Sequence, residues 1–285
     1  MADFSSRSYS FYIAYCYNMC YKYTIGVVMA NKIIELYKIL YDEIPYFSSY
    51  LMELGYSYSL LQKYKKRGWI ESPYKSVYIK PGSYISPLGI IYSFQNQKNM
   101  KIHIGGTTAL ILKGISEQVY SISEMKNYYI LSPVRIFVPK WIKRFCSKNN
   151  LKLNFKQLDI FEFEIGLTSF NYNKMNITIS STERAVLEML SLIRTRNDYF
   201  DTLKYFELIG ELRANVIMKL LENCRSIKSK RLFLYLSERY NKEYLQKINK
   251  NSIILGNGPR RIINEGSKSV YIQKYDIEIP MEIIP

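Results

Sequence analysis

Tyr56–Gly82 reads YSYSLLQKYKKRGWIESPYKSVYIKPG, and its order sets the fold of the amino-terminal part: a helix start, a basic helix end, a Gly-Trp stop and a short strand pair. That succession is the second half of a winged helix-turn-helix, in which one helix lies in a DNA groove. Ser57 is the natural N-cap of this recognition helix. Leu60, Leu61 and Tyr64 turn inward, and Tyr58, Ser59, Gln62, Lys63 and Lys66 turn outward. From Ser57 to Ile70 the charged residues are Lys63, Lys65, Lys66 and Arg67, with no acid among them. A solvated helix usually mixes signs, whereas a helix approaching phosphates gains by releasing condensed counterions. Trp69-Ile70 and Val77–Ile79 read as strands around the turn Ser72–Ser76, whose tip of Tyr74, Lys75 and Ser76 forms the wing. A small helical subdomain with one basic face is the competing reading.

Upstream, Asn31–Tyr41 carries Ile33, Ile34, Leu36, Tyr37 and Leu40 at the spacing of a helix with one buried face. Pro45 is expected to open the next helix, with Phe47, Tyr50, Leu51 and Leu54 as its apolar stripe and Gly55 as the turn. Ser86-Pro87 introduces a short helix over Leu88–Gln97, and the polar run Asn96–Asn99 marks a domain border. The reading gives residues 29–97 as a winged helix-turn-helix domain and 98–285 as a carboxy-terminal domain. Residues 1–28 form an extension rich in tyrosine without a clear period. Met29 directly precedes the first helix, so this stretch is either an over-extended reading frame or an aromatic arm packed on the body.

Beyond the border the pattern is mixed. Gly105-Gly106-Thr107-Thr108 leads into a helix at Ala109–Lys113, Tyr128–Leu131 and Val134–Val138 read as strands, and Pro139-Lys140-Trp141 starts a basic turn. Leu151–Leu158 and Met175–Ile179 are further strand candidates. From Ser180 the chain turns helical. Ser180 with Glu183 has the spacing of a capping box, and helices follow from Asp198 or Asp201, over Asn215–Cys224 and over Ser229–Tyr240. The tail carries Val270, Ile272, Ile277 and Ile279 in strand-like runs. The fold class is therefore α+β: a winged helix-turn-helix plus a larger mixed α/β domain ending in a helical bundle and short strands.

With 48% apolar residues in 285, both domains can build a core. Forty Lys and Arg against 24 Asp and Glu give a net charge of +16, which favours anionic partners, nucleic acid first. The abundance of Lys, Ile, Tyr and Asn also fits an AT-rich genome, so local clustering of charge weighs more than its total. Cys16, Cys20, Cys146 and Cys224 form no CxxC pair or Cys/His quartet, so neither a zinc finger nor a disulfide framework is indicated, and a reducing cytoplasm fits. No run approaches the roughly 18–20 apolar residues of a membrane helix, and no signal peptide is visible.

Catalytic chemistry has few carriers. His103 is the one histidine, and it reads as a structural residue in a strand. The glycine pair ahead of Thr107 lacks the spacing of a phosphate loop, and no paired carboxylates or metal-ligand sets stand out. We expect no catalytic residues, no metal and no cofactor. Two basic clusters remain. Arg135, Lys140, Lys143, Arg144, Lys148, Lys152 and Lys156 fall between Pro133 and Leu158 without an acid, and Arg225, Lys228, Lys230 and Arg231 crowd a helix junction. Each extends a nucleic-acid footprint, meets an acidic or RNA-bound partner, or is simply a solvated surface.

Several segments together resemble the bacterial AbiEi antitoxins of abortive-infection AbiE systems. These are the winged helix at Tyr46–Gly82, Ile102–Leu110 (IHIGGTTAL), Val138–Trp141 (VPKW), Ser180–Glu188 (SSTERAVLE) and Leu220–Leu236 (LLENCRSIKSKRLFLYL). The resemblance spans roughly Asn31–Pro280 and leaves residues 1–28 without a counterpart. It implies a winged helix that binds inverted repeats at its own promoter and a carboxy-terminal domain that counteracts a nucleotidyltransferase toxin, AbiEii. It also implies a protein that is not an enzyme, which with the cysteine usage above gives the expectation of a cytoplasmic antitoxin and autorepressor. Carried onto this chain, the recognition helix is Ser57–Arg67 and the wing Ser72–Val77. Lys63, Lys65, Lys66, Arg67 and Lys75 would face phosphates, and Tyr58, Ser59 and Gln62 would face bases of double-stranded operator DNA, with two copies on an inverted repeat. Lys140, Lys143, Arg144, Arg225, Lys228, Lys230 and Arg231 are the candidate antitoxin surface. Family wings often carry a Gly-Arg-Gly-like tip, whereas this chain has Tyr74-Lys75-Ser76. A nucleic-acid-modifying enzyme subunit and a ligand-sensing repressor are the alternative readings.

Overall fold

The computed structural model describes residues 31–116, 122–263 and 268–281. The tyrosine-rich extension, and with it the question of Met29, lies outside them. The chain divides into two compact units, one running to Ser93 and the other starting at Phe94.

The first unit opens with α1 (residues 31–39), whose buried side is Ile33, Leu36 and, just past its end, Leu40. Ile34 and Tyr37 are exposed instead, and the Tyr37 hydroxyl donates to the Trp69 carbonyl at 2.7 Å. Next come β1 (Tyr46–Phe47), α2 (Ser48–Glu53), α3 (Tyr58–Lys66), β2 (Glu71–Tyr74), β3 (Val77–Ile79) and α4 (Pro87–Asn96), the last of which crosses the division at Ser93. The strands form a sheet in the order β1-β3-β2, the winged helix-turn-helix arrangement expected. Two expectations fail locally. Pro45 does not start a helix, because Tyr46 and Phe47 pair as a short strand with Tyr78 and Val77. Of the stripe assigned to α2, Leu51 is buried, but Leu54 lies beyond the helix and is exposed. The wing strand likewise starts at Glu71 rather than Trp69. Pro73 sits inside it, which is possible because β2 is an edge strand and its register with β3 shifts between Glu71 and Tyr74.

The second unit is built on a five-stranded mixed sheet, order β6-β5-β4-β8-β7. Its strands are β4 (His103–Ile104), β5 (Asn127–Ser132), β6 (Lys152–Gln157), β7 (Leu167–Tyr172) and β8 (Met175–Ser180). Helix α5 (Gly106–Leu112) follows β4, and α6 (Lys140–Lys148) links the parallel strands β5 and β6. Pro139-Lys140-Trp141 thus starts a helix rather than a turn, because Trp141, Ile142 and Phe145 form a buried side. Val134–Val138 is not a strand: prolines at 133 and 139 bracket it, and Val134 and Phe137 are exposed.

Helices α7 (Thr182–Leu192), α8 (Arg196–Leu208), α9 (Ala214–Asn223) and α10 (Ile227–Arg239) follow, with α7 packing on α5, α8, α9 and α10. The box expected between Ser180 and Glu183 does not form: the cap of α7 is Ser181, whose hydroxyl accepts from the Arg184 amide, while Ser180 donates to Glu188 and Glu183 pairs with Arg213. A capping box does form at α8, between Thr195 and Asp198. A small sheet, β10-β11-β9, is made by β9 (Arg260–Arg261), β10 (Ser269–Ile272) and β11 (Ile277–Pro280).

Candidate nucleic-acid interface

The recognition helix forms where its sequence places it. The Ser57 hydroxyl accepts from the Leu60 amide at 3.3 Å, and Leu61 and Tyr64 are fully buried under the helix. Leu60 is only half-buried. Tyr58, Ser59, Lys63, Lys65, Lys66 and Arg67 are exposed, so the outward face pairs polar and aromatic groups near the start with cations at the end. Positive charge in the last turn also complements the helix dipole. The Arg67 guanidinium lies over the Trp69 ring, 4.9 Å from its centroid, which holds it at the foot of the wing.

Gln62 behaves differently from its neighbours. It is half-buried, and its amide donates to the Tyr78 hydroxyl on β3 at 2.9 Å. At the wing, Lys75 and Ser76 are exposed and Tyr74 is half-buried. Ser76 adopts φ 61°, in the left-handed region where glycine is usual, so the tip makes its turn without the glycine that a Gly-Arg-Gly-like wing supplies. Ser57, Tyr58, Ser59, Lys63, Lys65, Lys66, Arg67, Lys75 and Ser76 thus lie on the exterior of the same helix-and-wing unit. Glu71, the acid at the start of the wing, accepts from the Gly82 amide at 2.9 Å.

The second unit sorts the other candidates. Lys140, Lys143 and Arg144 are exposed along α6. Arg225 is exposed and pairs with Asp159 at 2.6 Å. Lys228 is half-buried and donates to the Ile193 and Ile262 carbonyls at 2.6 and 3.2 Å. Burial lowers its ammonium to about 8, and Arg194 adds to the shift. Lys230 and Arg231 are each only 3% exposed, which corrects their assignment to a surface. Arg231 is an internal clamp: its guanidinium donates to the carbonyls of Leu255, Gly256, Gly258 and Asp276 at 2.7–2.9 Å. A planar fork with several fixed donors suits that task.

His103 is 1% exposed, and the histidine read as structural proves to be part of an internal network. Its Nε2–H donates to Glu188 at 2.8 Å, while Glu188 also accepts from Arg184 at 2.7 Å, Ser180 at 2.7 Å and the Gly106 amide at 3.2 Å. Burial alone would raise the Glu188 carboxyl, but His103 and Arg184 together hold it well below the usual carboxylate range. The anion at the glycine pair is therefore the protein's own. A Cβ on Gly105 would sit 2.4 Å from the Glu188 carboxylate, so the chain needs glycine there to approach it. Burial pushes the Cys224 thiol up to about 11 and raises Cys146 as well, opposite to what a nucleophile requires. Among the described residues no group of three or more His, Cys, Asp or Glu is placed to hold a metal, and no helix is long and apolar enough to cross a membrane.

The missed feature is Phe137, which is 85% exposed in the loop ahead of α6. The two prolines that bracket Val134–Val138 were the available signal that this apolar run does not enter a sheet.

Comparison with known proteins places these features. The RV2827C protein from Mycobacterium tuberculosis, known from a crystal structure, shares the fold at a TM-score of 0.50 and 12% identity, over 88% of this chain and 89% of that one. No curated protein matches the sequence. A family described as "Transcriptional regulator, AbiEi antitoxin N-terminal domain" matches residues 29–120. A second, "Transcriptional regulator, AbiEi antitoxin, Type IV TA system", matches residues 125–280. With its winged helix at the amino terminus and both family segments in order, the chain belongs to the AbiEi antitoxin transcriptional regulators of type IV toxin–antitoxin systems.

Proposed function

We propose that this protein represses its own operon from the cytoplasm by laying α3 in the major groove of an inverted repeat, one copy per half-site, and that its second unit counteracts a nucleotidyltransferase toxin. The observation that carries the DNA-binding part is the exposed, acid-free end of α3 next to the wing: Lys63, Lys65, Lys66 and Arg67, with Lys75 at the tip. These cations would meet phosphates, while Tyr58 and Ser59 near the helix start would meet base edges. Gln62 would act through its bond to Tyr78, orienting the helix against the wing, more than by reaching a base.

In this reading the protein has no catalytic activity of its own. The histidine is 1% exposed with its Nε2 committed to Glu188, and the two described thiols are shifted away from nucleophilic character. The exposed cations Lys140, Lys143, Arg144 and Arg225 are the part of the candidate antitoxin surface that a partner could reach.

Fluorescence anisotropy with the promoter fragment of the protein's own operon tests the first claim. Replacing Lys63 and Lys66 by alanine should weaken binding and reduce the slope of log K against log salt by roughly 0.9 per lost phosphate contact. An unchanged slope would reject this placement of the helix. The second claim is tested by growth of cells expressing the neighbouring gene product, with and without this protein; failure to restore growth would favour a plain repressor.

A further inference from the structure

We propose that the β5–α6–β6 segment is a second nucleic-acid surface, which binds an unpaired RNA strand. Between Pro133 and Leu158 the charged residues are Arg135, Lys140, Lys143, Arg144, Lys148, Lys152 and Lys156, and all seven are exposed. None of the seven has an ion-pair partner among the described residues, in contrast to Arg225 with Asp159 or Arg213 with Glu183. The segment therefore presents seven uncompensated positive charges.

Helix geometry organises part of that charge. Trp141, Ile142 and Phe145 are buried on one side of α6. Lys140, Lys143, Arg144 and Lys148 fall on the opposite side, within an arc of roughly 140° at 3.6 residues per turn. Lys140, Arg144 and Lys148 repeat every ~6 Å along the axis, a row that can follow a phosphate backbone. Lys152 and Lys156 continue the charge on β6, one of the two edge strands of the sheet.

Phe137 selects the kind of nucleic acid. It is the most exposed large apolar side chain among the described residues, three positions ahead of Lys140 and so within ~11 Å of it along the chain. A lone exposed Phe is ordinary on a protein surface. Flanked by Arg135 and Lys140 in an acid-free run, it is a platform on which an unstacked base can lie while the cations hold the adjacent phosphates. A duplex keeps its bases stacked and offers such a ring nothing. In a cell the accessible unpaired strands are chiefly RNA, in loops, bulges and ends. The proposal extends the reading above to a different surface from α3.

The test is fluorescence anisotropy of the full-length protein with a labelled unstructured 12-nucleotide RNA, the DNA strand of the same sequence, and the promoter duplex. The RNA should bind, and Phe137→Ala should weaken it roughly 5- to 150-fold, the range for losing one base–aromatic stack, with Phe137→Trp restoring it. Replacing Lys140, Lys143 and Arg144 by alanine should flatten the salt slope by roughly 0.7 per lost contact. Lys63→Ala with Lys66→Ala should leave RNA binding intact while weakening the duplex, so the two surfaces can fail separately. All these side chains are exposed, and unchanged melting temperatures verify folding. The proposal is overturned if the RNA does not bind, if Phe137→Ala binds it as the unaltered protein does, if the DNA strand binds more tightly than RNA, or if a polyglutamate peptide binds as tightly as RNA.

Discussion

The Gln62 amide donates to the Tyr78 hydroxyl at 2.9 Å, tying the outward-facing helix α3 to the central strand of the wing sheet. Tyr78 is 1% exposed, so this bond helps fix the angle between helix α3 and the wing from inside the unit.

Tyr78→Phe should cost about 1 kcal/mol, the net worth of one hydrogen bond, read as a shift of the urea midpoint at constant m-value. Operator affinity should fall by less than it does for the Lys63 and Lys66 pair, since no phosphate contact is removed. A larger loss in affinity than in the lysine pair would mean that Gln62 reads a base directly.

The wing tip carries a testable strain. At φ 61°, Ser76 occupies a conformation that costs a residue with a Cβ about 1–2 kcal/mol. Ser76→Gly should relieve that cost and raise stability by up to about 1 kcal/mol, and Ser76→Val should lower stability, because a branched Cβ fits the left-handed region worse than serine does. Thermal melts of the two variants check the pair; equal melting temperatures would contradict the conformation.

Acid should weaken the second unit through Glu183. Burial alone would raise its carboxyl, but hydrogen bonds from Arg213 Nε at 2.8 Å and Nη2 at 2.9 Å help hold it at about 2. A carboxyl whose folded pKa lies below its unfolded value stabilises fully above the unfolded pKa and loses that contribution as pH falls through the folded one. Stability should thus decline from about pH 4.5 down to about 2. Glu183→Gln should remove part of that decline, as seen in denaturant midpoints measured across the window.

Arg231→Lys should destabilise the protein by about 2 kcal/mol, because one ammonium cannot reach the four carbonyls that the guanidinium bridges. Differential scanning calorimetry measures the loss. Stability equal to the unaltered protein's would show that the clamp is dispensable.

The recognition helix was legible because three local signals agree there: the Ser57 cap, the buried spacing of Leu61 and Tyr64, and a run of cations with no acid. Strand β1 was not, since two residues are too few to show a period and Pro45 imitates a helix start. Pro73 was read as part of a turn because the bulge and edge position that accommodate it depend on β3. The tandem Ser180-Ser181 hides which hydroxyl caps α7; Ser180 is drawn to Glu188 eight residues on, leaving Ser181 for the helix. Arg231 looked like surface charge because its partners lie 24–45 residues further along the chain. The exposure of Phe137 follows from a loop that periodicity alone assigned to a sheet.

Pro73, on the outer strand of the wing sheet, has no amide hydrogen to offer a neighbouring backbone. A second copy that approaches this edge therefore meets a gap in the row of donors that a fibril would need. The wing can thus stay on the surface without zipping onto the wings of other copies into an insoluble ribbon.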